Sequence, residues 1–233
     1  MQLLWNGLIE SIRLLFTGNP EVAQIAGVSL QVSGFSTLIS VLIGLPLGTF
    51  FALGQFRSRR FWVSLVNTGM ALPPVVVGLV VSIFLWRSGP LGSLGWMYTR
   101  TAMVIAQTII AVPVITGLTI SAIQSLNPRL PLQLYGLGAN RLQVVLLLWR
   151  EARLPLLAAL MAGFGSVISE VGASMMVGGN LKGDTRVLTT AIVTENSRGE
   201  FAVALALSAI LLLLAYLVNL GLTLLQQRGD KHG

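Results

Sequence analysis

The sequence contains no cysteine and a single histidine, His232. Disulfides, thiolate metal sites and cysteine nucleophiles are thereby excluded, and so is a multi-histidine metal centre. Charge is scarce as well: 10% of the 233 residues are Asp, Glu, Lys or Arg, where an ordinary soluble domain carries about 25%. No Gly-x-x-x-x-Gly-Lys-Ser/Thr loop is present, so the chain does not cradle nucleotide phosphates by that route. No nucleophile–base pair or acidic cluster sits in the apolar segments, which argues against an intramembrane enzyme. The expectation is a non-catalytic chain with no cofactor of its own. Energy for any transport would come from a partner or an ion gradient.

What is present is apolar. Hydrophobic residues make up 54% of the chain, and mean hydropathy is +0.81. Too little polar surface remains to cover such a chain in water, and the long apolar runs make it a polytopic membrane protein, an all-α helical bundle rather than a barrel. The 25 Gly and 9 Pro suit close helix packing and kinks. Five spans are expected, at about Ile25 to Leu53, Phe61 to Trp86, Met103 to Ile123, Leu154 to Val177 and Phe201 to Leu225. Residues 1–19 form a separate unit. Its run from Leu3 to Phe16 is too short and too charged to span easily, and Asn6, Glu10 and Arg13 gather on one helical face. It reads as an amphipathic helix lying in the membrane interface. It lacks the basic start and small-residue cleavage site of a signal peptide. Residues 20–226 are expected to form the transmembrane domain and 227–233 a short polar tail, and no appended regulatory domain is expected.

Basic residues set an orientation. Arg57, Arg59, Arg60, Arg129, Arg141, Arg150, Arg153, Arg228 and Lys231 fall on one side of five spans, and Arg13, Arg87, Arg100, Lys182, Arg186 and Arg198 on the other. The tighter clusters mark the cytoplasm, which puts the amino terminus outside and the carboxyl terminus inside. The net charge of +7 is explained by such loops and implies no nucleic acid. The partner expected for the apolar surface is membrane lipid.

Between the third and fourth spans, Arg141, Arg150, Glu151 and Arg153 lie close together. A charge at a helix centre in lipid costs about 2.5–3.5 kcal/mol. Four of them place the stretch in water, as a helix at about 130–148 on the cytoplasmic face. Gly136 and Gly138 supply a flexible turn, and Leu142, Val145, Leu146 and Trp149 carry a helix back to the membrane. Two readings stay open on these residues: an ordinary loop, or a helix kept to touch a partner.

The run Leu137-Gly-Ala-Asn-Arg-Leu-Gln-Val-Val145, followed by Leu154-Pro155, resembles the cytoplasmic loop signature of ABC importer permeases. Leu72-Pro-Pro-Val-Val-Val-Gly-Leu79 is similar to the Pro-Pro-Val-Val-Gly run of that family's oxyanion branch. Gly163-Phe-Gly-Ser-Val-Ile-Ser-Glu-Val-Gly-Ala173 is similar to its Ile-Ser-Glu-Phe-Gly-Ala segment, and Met175 to Ala191 looks most like tungstate permeases. The chain departs from the family where Leu132, Gln133 and Leu134 replace an acidic-Ala-Ala opening. It departs again in a Gly138-to-Pro155 gap about one helical turn longer.

The resemblance implies a type I ABC importer permease-like bundle working as a homodimer with a second copy of itself. Two ATP-binding subunits would hold ATP and Mg, and an extracytoplasmic oxyanion-binding protein would deliver the cargo. Tyr135, Gly136, Leu137, Gly138, Ala139, Asn140 and Arg141 would form the ATPase-coupling loop. The cargo implied is tungstate, with molybdate or sulfate as the alternative. A secondary transporter would show internal repeats, and none is evident.

Pro73, Pro74, Ser169, Glu170 and Gly172 are pore or gate candidates. The prolines read first as a kink. Glu170 lies among Gly163, Gly165, Ser166, Ser169, Gly172 and Ser174 and must face protein or water with a partner. It reads as a tether or as a holder of the gate rather than an anion ligand. In the polar loop expected from Gly178 to Glu200, Asn180, Thr185, Arg186, Thr189 and Thr190 are candidates for contact with the anion or its binding protein.

Overall fold

The computed structural model describes residues 20–230, so the amphipathic helix expected within residues 1–19 and the last three residues lie outside the described part. Among the described residues there are ten α-helices, one 3₁₀ turn at Gly92–Leu94 and no strand. The expected all-α bundle is the architecture observed.

α1, Pro20–Leu53, opens on a proline at its first position, where the missing N–H costs nothing. At 1.5 Å per residue its 34 residues span about 51 Å, more than the hydrocarbon thickness of about 30 Å. Between the buried apolar residues near its two ends, its buried face is small and hydroxylic: Ser33, Ser36, Thr37, Ser40, Gly44 and Gly48, with Ser29 a turn earlier. That face lies along α4, Arg100–Gln124, at the centre of the bundle. A Cβ on Gly44 would stand 2.9 Å from Cγ2 of Ile115, and one on Gly48 2.5 Å from Cβ of Thr119. The two helices are therefore as close as glycine allows. Phe35, Leu38, Leu42 and Phe50 stand exposed on the other side of α1.

The second expected span is two helices. α2, Arg59–Met70, and α3, Pro74–Leu85, meet at a bend of 100°. Pro73 is extended (φ −62°, ψ 124°) and Pro74 takes the first position of α3. A proline there cannot continue the preceding ladder and suits a new start, so the expected kink is a full break.

α5, Leu130–Gly136, and α6, Arg141–Glu151, form a corner at one end. α7, Arg153–Ile168, and α8, Gly172–Gly178, make up the fourth expected span with a bend of 56° between them. The stretch read as a polar loop holds another helix, α9, Leu188–Ser197. α10, Phe201–Asp230, continues past the expected end near Leu225.

Three apolar clusters hold this arrangement. One joins α1, α3, α4 and α8 through Val28, Val81, Met103, Ala106, Ala173 and Val177. A second fixes α9 between α1 and α10 through Ile25, Leu188, Ala191, Leu207 and Ile210. A third seats the α5–α6 corner on the bundle through Ile123, Val144, Leu148 and Ala152.

Candidate functional site

The α5–α6 corner is fixed by its own backbone. Gly138 N–H donates to the Tyr135 carbonyl at 2.9 Å and Ala139 N–H to the Leu134 carbonyl at 3.0 Å. This paired closure with a left-handed residue, Gly138 at φ 86°, is the Schellman ending of a helix. Two residues on, Asn140 Oδ1 accepts from Gln143 N–H at 2.9 Å and Gln143 Oε1 accepts from Asn140 N–H at 2.8 Å. That reciprocal pair is a capping box. The turn is thus locked on both sides rather than flexible, and Gly138 alone carries the positive φ; Gly136 is the last residue of α5.

The corner is anchored by Trp149, whose Nε1 donates to Thr49 Oγ1 of α1 at 2.7 Å. Its free side is apolar: Leu132, Leu137 and Leu142 are 72%, 85% and 67% exposed, beside the half-exposed Tyr135. Arg141 flanks them, exposed. A rigid turn carrying uncovered leucines among arginines, off the ends of the spans, is suited to a partner with an apolar recess.

A second constellation joins two stretches far apart in sequence. α3 and α8 pack so tightly that a Cβ on Gly78 would lie 2.7 Å from the Ala173 Cα, and one on Gly172 2.7 Å from Cγ2 of Val75. Both bent pairs therefore break side by side. At the α7–α8 break, Glu170 Oε1 accepts from Ala173 N–H at 2.8 Å, satisfying a backbone donor at the start of α8. The Glu170 carbonyl accepts from Thr189 Oγ1 at 2.8 Å. Glu170 is buried, so its carboxylate serves the backbone and is not presented as a ligand. Ser169 is exposed beside it and bonds back to the Gly165 carbonyl at 2.7 Å.

The loop candidates are placed differently from one another. Thr185, Thr189 and Thr190 are buried. Thr185 Oγ1 accepts from Leu181 N–H and donates to the Gly178 carbonyl; Thr190 Oγ1 accepts from Val187 N–H at 3.1 Å. With Thr189 on Glu170, all three hydroxyls are spent holding α8 and α9 in place. Asn180 sits at φ 51° and donates from Nδ2 to Thr194 Oγ1 at 2.7 Å. Arg186 lines a cavity between α1, α9 and α10.

Two residues that the sequence reading passed over matter here. Gln107, buried in α4, donates from Nε2 to Ser174 Oγ of α8 at 3.1 Å. An amide in the middle of an apolar span was the available signal. Ser29 Oγ accepts from Leu188 N–H at 2.8 Å, tying the start of α9 to α1. Among the described residues, no group of three or more His, Cys, Asp or Glu is placed to hold a metal.

Comparison with known proteins follows the same lines. Residues 44–231 match the family described as the binding-protein-dependent transport system inner membrane component. The chain is 39% identical over 227 residues to the tungstate uptake system permease protein TupB of Peptoclostridium acidaminophilum, covering 97% of this chain and 100% of that one. It is 40% identical to a probable anion ABC transporter permease protein of Haloferax volcanii, covering 85% and 88%, and 33% identical to the TupB of Campylobacter jejuni, covering 93% and 90%. Its fold matches a chain of the inward-facing MetNI methionine ABC transporter with a TM-score of 0.76 at 20% identity, covering 90% and 96%. The chain belongs to the binding-protein-dependent transport system inner membrane component family, in the ABC permease branch that includes the tungstate uptake permeases.

Proposed function

We propose that two copies of this chain form the membrane pathway of an ATP-driven importer for a tetrahedral oxyanion, tungstate by its relatives. The observation that carries the coupling half of this reading is the α5–α6 corner. Its turn is closed by Gly138 and Asn140, and its exposed leucines lie outside the spans. Such a corner fits a cleft on a separate ATPase subunit, which would bind ATP and Mg. The end bearing this corner is then cytoplasmic, and the end bearing α9 faces the binding protein outside, as the basic-residue clusters also suggest.

Motion would pass from the corner into α4 and α7, the helices joined to it in sequence, and from them to the α3–α8 junction. There Pro73, Pro74, Ser169, Glu170 and Gly172 shape two broken spans in contact. The role of Glu170 in this reading is positional: it holds α8 and α9 so that the junction moves as one body. The anion is handled by surfaces the two copies build together. A fixed carboxylate would repel it, and Thr185, Thr189 and Thr190 already donate to backbone carbonyls.

The test is oxyanion-dependent ATP hydrolysis in liposomes, with the neighbouring ATPase and the binding protein loaded in turn with tungstate, molybdate or sulfate. Stimulation by tungstate alone supports the full proposal. Stimulation by molybdate or sulfate keeps the machine and changes the cargo. Failure of the chain to associate with any ATPase overturns it.

A further inference from the structure

A cavity of about 450 Å³ opens at the α9 end, between α1, α9 and α10. One half of its lining is apolar, from Val22, Ile25, Val203 and Leu207 of two membrane helices; the other half is charged. Lys182 Nζ stands 2.8 Å from Glu21 Oε2, and Arg198 Nη1 3.0 Å from Glu195 Oε1. Arg186 completes the lining, half-buried, and its Nε is closed off from solvent with no hydrogen-bond partner among the described residues. Among the described lining residues three cations stand against two carboxylates, and Arg186 is the cation outside these two pairs.

We infer that this cavity binds the phosphodiester headgroup of a membrane phospholipid, with Arg186 on the phosphate and an acyl chain along Ile25 and Leu207. Guanidinium groups match phosphate oxygens by paired hydrogen bonds, and a donor shut from water without a partner is costly until it finds one. Charge decides between sources of the same chemistry. A phosphodiester carries one negative charge and neutralises Arg186. A free dianion such as the proposed cargo would leave an excess negative charge against Glu21 and Glu195. It would also gain nothing from the apolar half of the lining, which an acyl chain covers. The site lies at the first turns of α1 and α10, and the ends of membrane helices are where headgroups sit.

The experiment uses the full chain in detergent micelles with added phosphatidylglycerol, counted by native mass spectrometry. Inorganic phosphate and tungstate are the soluble competitors. The wild type should hold one more lipid than the Arg186→Gln variant, whose affinity should fall about tenfold for the loss of a charge-assisted contact. Leu207→Trp, which fills the apolar half and leaves every charge in place, should weaken retention too. Arg100→Gln should not, since Arg100 pairs with Asp184 outside the cavity. Equal retention by Arg186→Gln and wild type overturns the inference. Displacement of the lipid by phosphate or tungstate overturns it as well, and makes the cavity a free-oxyanion site. The inference needs only the membrane placement of α1 and α10, so ATPase assays that fail leave it standing.

Discussion

Gly138 offers the sharpest test of the corner. Its φ of 86° lies in the left-handed region, yet nothing stands within 4 Å of where its Cβ would be. A substitution there meets no neighbour, so its whole effect is on the backbone. An L residue with a Cβ costs about 1–2 kcal/mol in that region, which lowers the population of the closed turn roughly 5- to 30-fold. Asparagine tolerates the conformation better than alanine. Transport-linked ATP hydrolysis in liposomes should therefore fall in the order Gly, Asn, Ala, with Gly138→Glu abolishing it by adding a charge among the exposed leucines. Membrane insertion should not change, because no span is touched. An alanine variant with wild-type coupling, or an asparagine variant as impaired as alanine, would refute the assignment of the turn's geometry to function.

Three further outcomes follow from the packing. Gly78→Val must push α3 away from the Ala173 backbone and should cost about 1–3 kcal/mol; thermal denaturation in detergent should show a clear drop. In that assay Gly165→Ala, with open space at its Cβ, should hold or gain stability. Glu170→Ala removes the acceptor for Ala173 N–H and should lose about 0.5–2 kcal/mol, whereas Glu170→Gln keeps an acceptor oxygen and should lose less. Equal losses would mean that charge rather than capping matters there. Trp149→Phe and Thr49→Val each break one hydrogen bond between α6 and α1, worth about 1 kcal/mol. Their double variant should cost less than the two singles combined, read from hydrogen exchange at the corner.

The sequence made much of this legible because the bilayer imposes one strong rule on apolar runs. Gly136 and Gly138, followed by Leu142, Val145, Leu146 and Trp149 at helical spacing, were enough to suggest a turn between short helical pieces. The rigidity of that turn needed coordinates, since either glycine could have carried the bend. The stretch from Gly178 to Glu200 departs from the expected loop for a physical reason. Its threonines look like donors available to solvent or an anion, but a hydroxyl can be satisfied by the neighbouring backbone and then buried. Thr185, Thr189 and Thr190 do that, and so α9 sits against the bundle instead of forming a loop. Likewise Pro73 and Pro74 were visible as an interruption, but its size of 100° depends on α3 docking against α8 rather than on proline alone.

The hydroxyl-lined seam between α1 and α4 has a mechanical consequence. Ser29, Ser36, Thr37 and Thr49 each donate to a carbonyl of their own helix four residues back. The only hydrogen bonds they and Ser40 extend to α4, among the described residues, are two long ones of 3.4 Å, to the carbonyls of Val104 and Thr108. The seam is polar by composition and nearly unbonded across its width. One helix can slip past the other without exchanging strong bonds, and the resistance comes from the steps of Gly44 against Ile115 and Gly48 against Thr119. The bundle's longest contact thus behaves as a bearing, with glycine notches that set where it comes to rest.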